Sequence, residues 1–181
     1  MDDIDQIIRD CRDNKRLGQE KLYRKFYPVL FLLCRRFFAN EADALEALQD
    51  GMLKVYKNIR LFDPLKGSLI TWMYVIVRNA AIDKYKTKKS WQVIELSDEF
   101  HEDDHENPFK KLEWKDIYQF LDLLAPATRV VCNLHYLEGY SIMEISGKIG
   151  IKTGTVKWHL SETRKKLKPY FQHYYYHKNI K

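Results

Sequence analysis

Thr153, Thr155, Lys157, Trp158, Ser161, Arg164 and Lys165 crowd into one short stretch, "GIKTGTVKWHLSETRKKLKP" at residues 150–169. Hydroxyls, an indole and cations are the groups that read duplex DNA. Lysines reach phosphates or guanine edges, Ser161 can bond bases or phosphates, and Trp158 can meet thymine methyls or pack on sugars. A helix would present them together. Val156, Leu160, Thr163 and Leu167 recur on one stripe, which packs inward, while Gly154, Trp158, Ser161 and Lys165 take the opposite one. The Thr153 hydroxyl is expected to cap the start of this helix and Pro169 to stop it.

Other reactive-looking sets are weaker. His101 and His105 stand four apart in "HEDDH", as do His173 and His177 in "FQHYYYHKN". Four-residue spacing can hold a metal on a helix. The first pair sits in an acid-rich strap and reads as solvated, and the second belongs to an aromatic tail. Cys11, Cys34 and Cys132 are odd in number and far apart, which fits neither a disulfide framework nor a zinc finger. No Gly-rich phosphate loop, Ser-His-Asp set or paired-carboxylate pocket is present, so no catalytic residue, metal or cofactor is assigned.

The 181 residues carry a net charge of +6, unevenly placed. Residues 1–94 hold 18 Lys and Arg against 12 Asp and Glu, residues 95–112 hold 2 against 7, and residues 113–181 hold 11 against 6. Two basic blocks joined by an acidic strap suggest an anionic partner, nucleic acid before membrane. No apolar run is long enough to insert, and the acidic start is no signal peptide, so a cytoplasmic location is expected.

Gly and Pro are scarce, and the long segments have helical periodicity. The expected fold is all-α, with two small helical domains and a flexible acidic linker between them. Residues 1–92 form the first domain, 93–112 the linker and 113–181 the second, which ends in an aromatic tail. In the first, amphipathic helices are predicted near 19–39, with Pro28 a kink or break, and near 41–59. A loop follows at 60–68, and Ser68 opens a third helix over 69–86. In the second, one helix ends at Ala125-Pro126 and another before Gly139. Ser141 and Glu144 form a capping box for a short helix to about Ile149. Short helix, Gly150 turn, second helix: this is a helix-turn-helix, and residues 153–167 are its recognition helix.

Two separated stretches then converge on a family. Residues 41–89, "EADALEALQDGMLKVYKNIRLFDPLKGSLITWMYVIVRNAAIDKYKTKK", resemble conserved region two of bacterial sigma factors. Residues 124–167, "LAPATRVVCNLHYLEGYSIMEISGKIGIKTGTVKWHLSETRKKL", resemble region four. Their order, with a short linker and no region three, is similar to the extracytoplasmic-function (ECF) group. The resemblance implies a non-enzymatic subunit that binds core RNA polymerase, through the β′ clamp coiled coil and the β flap, and promoter DNA. An anti-sigma factor is an open partner. It also implies that the first domain reads the minus-ten element as melted strand and the second reads the minus-thirty-five element as duplex.

A melted strand needs rings, a base pocket and cations. The resemblance puts Asn79 in the pocket, Phe62 can supply a ring, and Lys66, Arg78, Lys84, Lys86, Lys88 and Lys89 can supply charge. Trp72 reads as core, while Tyr74 and Tyr85 stay open. Leu48, Gln49, Asp50, Leu53 and Lys54 fall where the family docks on polymerase. There this chain has "EALQDGM" where Asp-Leu-Val-Gln-Glu-x-Phe is usual. Gly51 costs that helix roughly 1 kcal/mol relative to Ala. The acidic strap is expected to lie in the nucleic-acid channel of polymerase or to mask the protein's own lysines. Competing readings are a stand-alone helix-turn-helix regulator that does not bind polymerase, and a helical interaction protein.

Overall fold

Several helices in this chain start where a side chain takes over free backbone donors. The computed structural model describes residues 4–87, 107, 109 and 112–178, with side chains through residue 170. It divides into two units, Met1–Lys89 and Ser90–Lys181. Among the described residues every regular element is helical, as the periodicity requires.

The first unit holds α1 (Ile4–Arg12), α2 (Arg16–Phe37), α3 (Glu41–Asn58) and α4 (Leu69–Thr87), with 3₁₀ turns at Ile59–Leu61 and Pro64–Lys66. Asn40 Oδ1 accepts from the amides of Ala42 and Asp43 at the start of α3. Ser68 Oγ accepts from the Thr71 amide at the start of α4. Asp63 Oδ1 accepts from the Leu65 amide and shapes the second turn. These are the cap residues that polar side chains favour. The expected helices are present, but α2 runs through Pro28 without a break. One donor is lost there, and the burial of Leu22, Leu30, Leu33 and Phe37 on either side outweighs it. The sequence reading did not include α1. It is short, and only Ile8 and Cys11 are buried on it. Its close approach to α2 depends on Gly18, where a Cβ would lie 2.5 Å from Asp10 Cβ.

The core of this unit lies between α2, α3 and α4. Ala44, Ala47, Leu48, Met52 and Val55 meet Met73, Val77, Ala80 and Ala81, all buried. Small residues on both helices let the backbones come close.

The second unit holds α5 (Trp114–Asp122), α6 (Pro126–Cys132), a π-helical turn (Asn133–Leu137), α7 (Ile142–Ile149) and α8 (Thr153–Lys178). Pro126 opens α6 at its first turn instead of ending α5, the position where a missing N–H is harmless. The capping box is formed: Ser141 Oγ accepts from the Glu144 amide, and Glu144 Oε2 accepts from the Ser141 amide at 2.9 Å. Gly150 has φ 72°, a left-handed conformation that glycine adopts without strain, and turns the chain from α7 into α8. Ile145 and Ile149 of α7 pack with Val156 and Leu160 of α8 in one buried layer.

Two boundaries of α8 differ from expectation. It begins with Thr153 already helical, so the backbone of Lys152 holds the cap position and accepts from the Val156 amide. It also continues past Pro169 to Lys178, because a proline removes one donor without forcing a stop when neighbouring turns hold. The helix before Gly139 changes to a π turn at Asn133, where the Glu138 amide reaches the Asn133 carbonyl. Apolar spacing does not show such a widened turn.

Candidate nucleic-acid interface

In the recognition helix α8, the inward stripe is Val156, His159, Leu160, Thr163 and Leu167, all buried. His159 is the addition. Its Nδ1 pairs with Thr128 Oγ1 at 2.9 Å, and the Thr163 hydroxyl donates to its carbonyl. It is a core residue with satisfied polar atoms. On the other side, Thr153, Lys165 and Lys168 are exposed, while Thr155, Lys157, Trp158, Ser161 and Arg164 are half-buried. Lys165 Nζ pairs with Glu162 at 2.7 Å, a neighbour that an incoming phosphate must displace. The Trp158 ring stands edge-on to His159, with centroids 4.9 Å apart. Arg164 hydrogen-bonds the Tyr136 side chain and so ties α8 to the π turn. His135 Nδ1 lies 3.0 Å from the Tyr140 carbonyl, so this ring nitrogen is engaged inside the unit.

Three of the first unit's expected site residues are placed differently. Phe62 is buried, with its ring 5.6 Å from Trp72, so it offers no open face for a base. An aromatic at the entry to a loop is drawn into the nearest apolar groove. Lys84 turns back onto α3, with Nζ 2.6 Å from Glu46 and 3.5 Å from Asp50. Burial works against its ammonium, but the hydrogen bond and field of Glu46, with those of Asp50, outweigh it and hold the group above its ordinary value. Its charge is spent inside the unit. Leu48 is fully buried in the α3 core and has no surface to give a partner.

The remaining candidates differ in exposure. Asn79 and Lys86 are exposed and lie seven apart on α4, on the face that also carries Trp72 and Val75. Lys66 is exposed in the turn beside Asp63, and Arg78 is half-buried. Trp72, expected as core, is half-buried, with its ring against that of Phe62. Tyr85 is core, and burial pushes its hydroxyl up to about 12. The Tyr74 ring lies under the Arg36 guanidinium. On α3, Gln49, Asp50, Leu53 and Lys54 are exposed, Leu53 by 56%. Lys54 pairs with Asp83 of α4 at 2.9 Å. Glu46 and Asp83 have no local sequence signal, because their partners lie on another helix.

The loop between α3 and α4 adds two groups that sequence patterning did not single out. Leu61 is 75% exposed and Leu65 94% exposed. The acidic strap, the "HEDDH" pair, Lys88 and Lys89 lie outside the described residues, as do the side chains of His173 and His177. Among the described residues, no three His, Cys, Asp or Glu side chains gather as a metal site. The three thiols are buried, and burial pushes Cys11 up to about 11 and Cys34 up to about 12. No described helix is long and apolar enough to cross a membrane.

A helical unit with an open asparagine and cations, followed by a helix-turn-helix unit, defines a two-module nucleic-acid-binding protein. Residues 22–91 match the family model for sigma-70 region 2, and residues 114–167 match that for sigma-70 region 4. The chain belongs to the sigma-70 family, as an RNA polymerase sigma factor of the ECF type. Its relatives include the ECF sigma factor SigE of Mycolicibacterium smegmatis, 24% identical over 83% of this chain, of which the chain spans 60%. RpoE of Cereibacter sphaeroides is 26% identical, over 84% of each chain. SigW of Bacillus subtilis is 27% identical over 77% of this chain and 81% of its own. A solved structure of CnrH with the cytosolic domain of CnrY covers 92% of this chain and 95% of its own, at 19% identity and a TM-score of 0.46.

Proposed function

We propose that this sigma factor divides promoter recognition between its two units and docks on core polymerase through α3. The exposed face of α3 (Gln49, Asp50, Leu53 and Lys54) meets the β′ clamp coiled coil. The α4 face with Asn79 and Lys86, together with Lys66, takes the melted minus-ten strand. The outer side of α8, from Thr153 to Lys165, enters the major groove of the minus-thirty-five element, and the second unit meets the β flap. No step in this scheme is catalytic: the protein contributes binding energy and selection.

The observation that carries it is the exposure of Asn79. An exposed amide on a helix whose opposite side is seated by buried Met73, Val77, Ala80 and Ala81 is fit to hydrogen-bond a base edge once that base leaves the stack. The test compares Asn79→Ala with the wild type in complex with core polymerase, on closed promoters and on pre-melted fork templates. A loss of base selection on the fork templates, with core binding and closed-promoter binding unchanged, supports the pocket role, and an equal loss on both templates rejects it. Equal selection by the two proteins on fork templates rejects it. Docking is tested with Gln49→Ala and Leu53→Ala, since Asp50 also serves Lys84 and its replacement would disturb the fold. The family resemblance leaves an anti-sigma factor as an open partner. If it covers α3, it competes with core polymerase in a binding assay.

A further inference from the structure

The segment from Ile59 to Lys66 is held from an unexpected quarter. Arg12, at the C-terminal end of α1, donates from Nη2 to the Phe62 carbonyl at 2.7 Å. Arg60 donates back, from Nε and Nη2 to the Arg12 carbonyl, at 3.2 and 3.1 Å. Two links in opposite directions thus join the same pair of segments. We propose that Arg12 is a positioning residue for melted-strand recognition: α1, which lies outside the region-2 match, locks the loop that stands beside Asn79's helix face. This inference rests on the reading of that face as the single-strand site.

Phe62 is the joint. Its carbonyl is held by Arg12, and its ring is held by Trp72 of α4. The following residue, Asp63, then folds the Pro64–Lys66 turn through the Leu65 amide. Trp72 and Asn79 lie two helical turns apart on one face, roughly 10 Å along α4. The loop therefore enters at one end of the Asn79 face with its backbone fixed at Phe62 and Asp63. Its outermost side chains, Leu61, Leu65 and Lys66, remain open to a partner. Ordering such a loop only when the strand arrives would cost conformational entropy for every residue fixed, and ordering it beforehand removes that cost from binding. A charged donor on a part-buried carbonyl is among the stronger bonds available for this.

The fold supplies what α1 needs for the task. Ile8 and Cys11 are buried and seat it on α2. Gly18 has no Cβ, and any Cβ there would meet Asp10 at 2.5 Å and the Cys11 amide at 3.1 Å. Asn14 takes φ 58° to turn the chain, and Lys15 pairs with Asp10 at 2.9 Å. The end of α1 that carries Arg12 is therefore the fixed end.

The test uses the full chain with core polymerase and fork templates chosen from promoters that the wild-type protein selects. Each template is offered with its own base or a changed base at the melted element. Arg12→Ala should reduce discrimination between the two by roughly tenfold. Arg12→Lys keeps a charged donor and should recover most of it. Gly18→Ala pushes on α1 without touching the loop and should act in the same direction. Core binding and affinity for upstream duplex should not change, and a residue that only staples the fold would move the melting temperature without moving the base ratio. If Arg12→Ala fails to fold, Arg60→Ala breaks the return link from an exposed position and is read in the same assay. Full discrimination in Arg12→Ala, or in Arg60→Ala where that variant stands in, overturns the proposal. If Asn79→Ala loses selection in that experiment, only the role of α1 falls. If Asn79→Ala also keeps it, the single-strand reading of the face falls as well.

Discussion

A Cβ on Gly51 of α3 would lie 2.9 Å from both Cα and Cγ2 of Val77 on α4. Taken alone, glycine in the middle of a helix is a defect worth roughly 1 kcal/mol against alanine. Here it is the condition for a close approach of α3 to α4. Gly51→Ala should gain that propensity and lose more through overpacking, about 1–3 kcal/mol, because one of the atoms in the way is backbone. The net expectation is destabilisation by about 1 kcal/mol in urea unfolding of the whole chain. A variant more stable than the wild type would mean that the two helices stand further apart.

Lys84 and Lys86 look interchangeable in sequence and should separate by experiment. Lys84 is bound to Glu46 and Asp50, and Lys86 is exposed. Lys84→Met should cost up to about 1 kcal/mol of stability, since its partners are half open to water. It should leave the salt dependence of fork binding unchanged. Lys86→Ala should do the reverse, reducing the slope of log K against log salt by about 0.7, the value for one single-strand phosphate. Titrations at several salt concentrations decide it, and a lower slope for Lys84→Met would restore that lysine to the DNA face.

Helical periodicity made the inward stripes of α3, α7 and α8 legible, and cap chemistry placed the start of α4 at Ser68 and that of α7 at Ser141. Both features are local, so sequence spacing carries them. What stayed hidden depends on residues far apart in the chain. Nothing near Lys84 announces that Glu46 waits on the neighbouring helix. Nothing near Phe62 shows that Trp72 will cover it. Gly51 looked like a cost until its neighbour Val77 was known. The prolines misled for a related reason. A proline weakens one turn, but tertiary packing decides whether the helix survives it, as in α2 and α8. The open candidates, Asn79, Gln49 and Lys165, were identified by type and family position, and exposure is what the structure adds to them.

The capping box gives a pH signature. Hydrogen bonds from the Ser141 amide and hydroxyl hold Glu144 below its ordinary carboxylate value. A group depressed in the folded state adds stability above its unfolded value, near pH 4.3, and that stability is lost as pH falls through the folded value. Glu144→Gln keeps an acceptor but no charge. The wild type should therefore melt higher than Glu144→Gln at pH 7, and the two curves should converge below about pH 4. Melting curves across that range are the measurement, and a gap that does not change with pH would show that the charge contributes nothing at this helix start.

Phe109 tests where the second unit begins. Composition assigns it to the linker, yet it is buried against Phe120 and Tyr136, with ring centroids 5.6 and 5.4 Å away. Asn107 secures it from both sides. Its Oδ1 accepts from the Phe109 amide at 3.0 Å, and its amide nitrogen donates to the Tyr136 carbonyl. Tyr136 in turn bonds Arg164 of the recognition helix. The end of the strap is thus a lid on the core that supports α8. Phe109→Ser should cost on the order of 3 kcal/mol, by loss of apolar burial and the cavity left behind. Asn107→Ala should cost about 1–2 kcal/mol, for two bonds that leave a partner carbonyl and amide less well satisfied. Both losses should appear in unfolding of the full chain and in weaker binding of upstream duplex, because α8 loses its backing. Core binding through α3 should hold. If Phe109→Ser unfolds within about 0.5 kcal/mol of the wild type, as an ordinary surface substitution would, the residue is tether and the unit starts at α5.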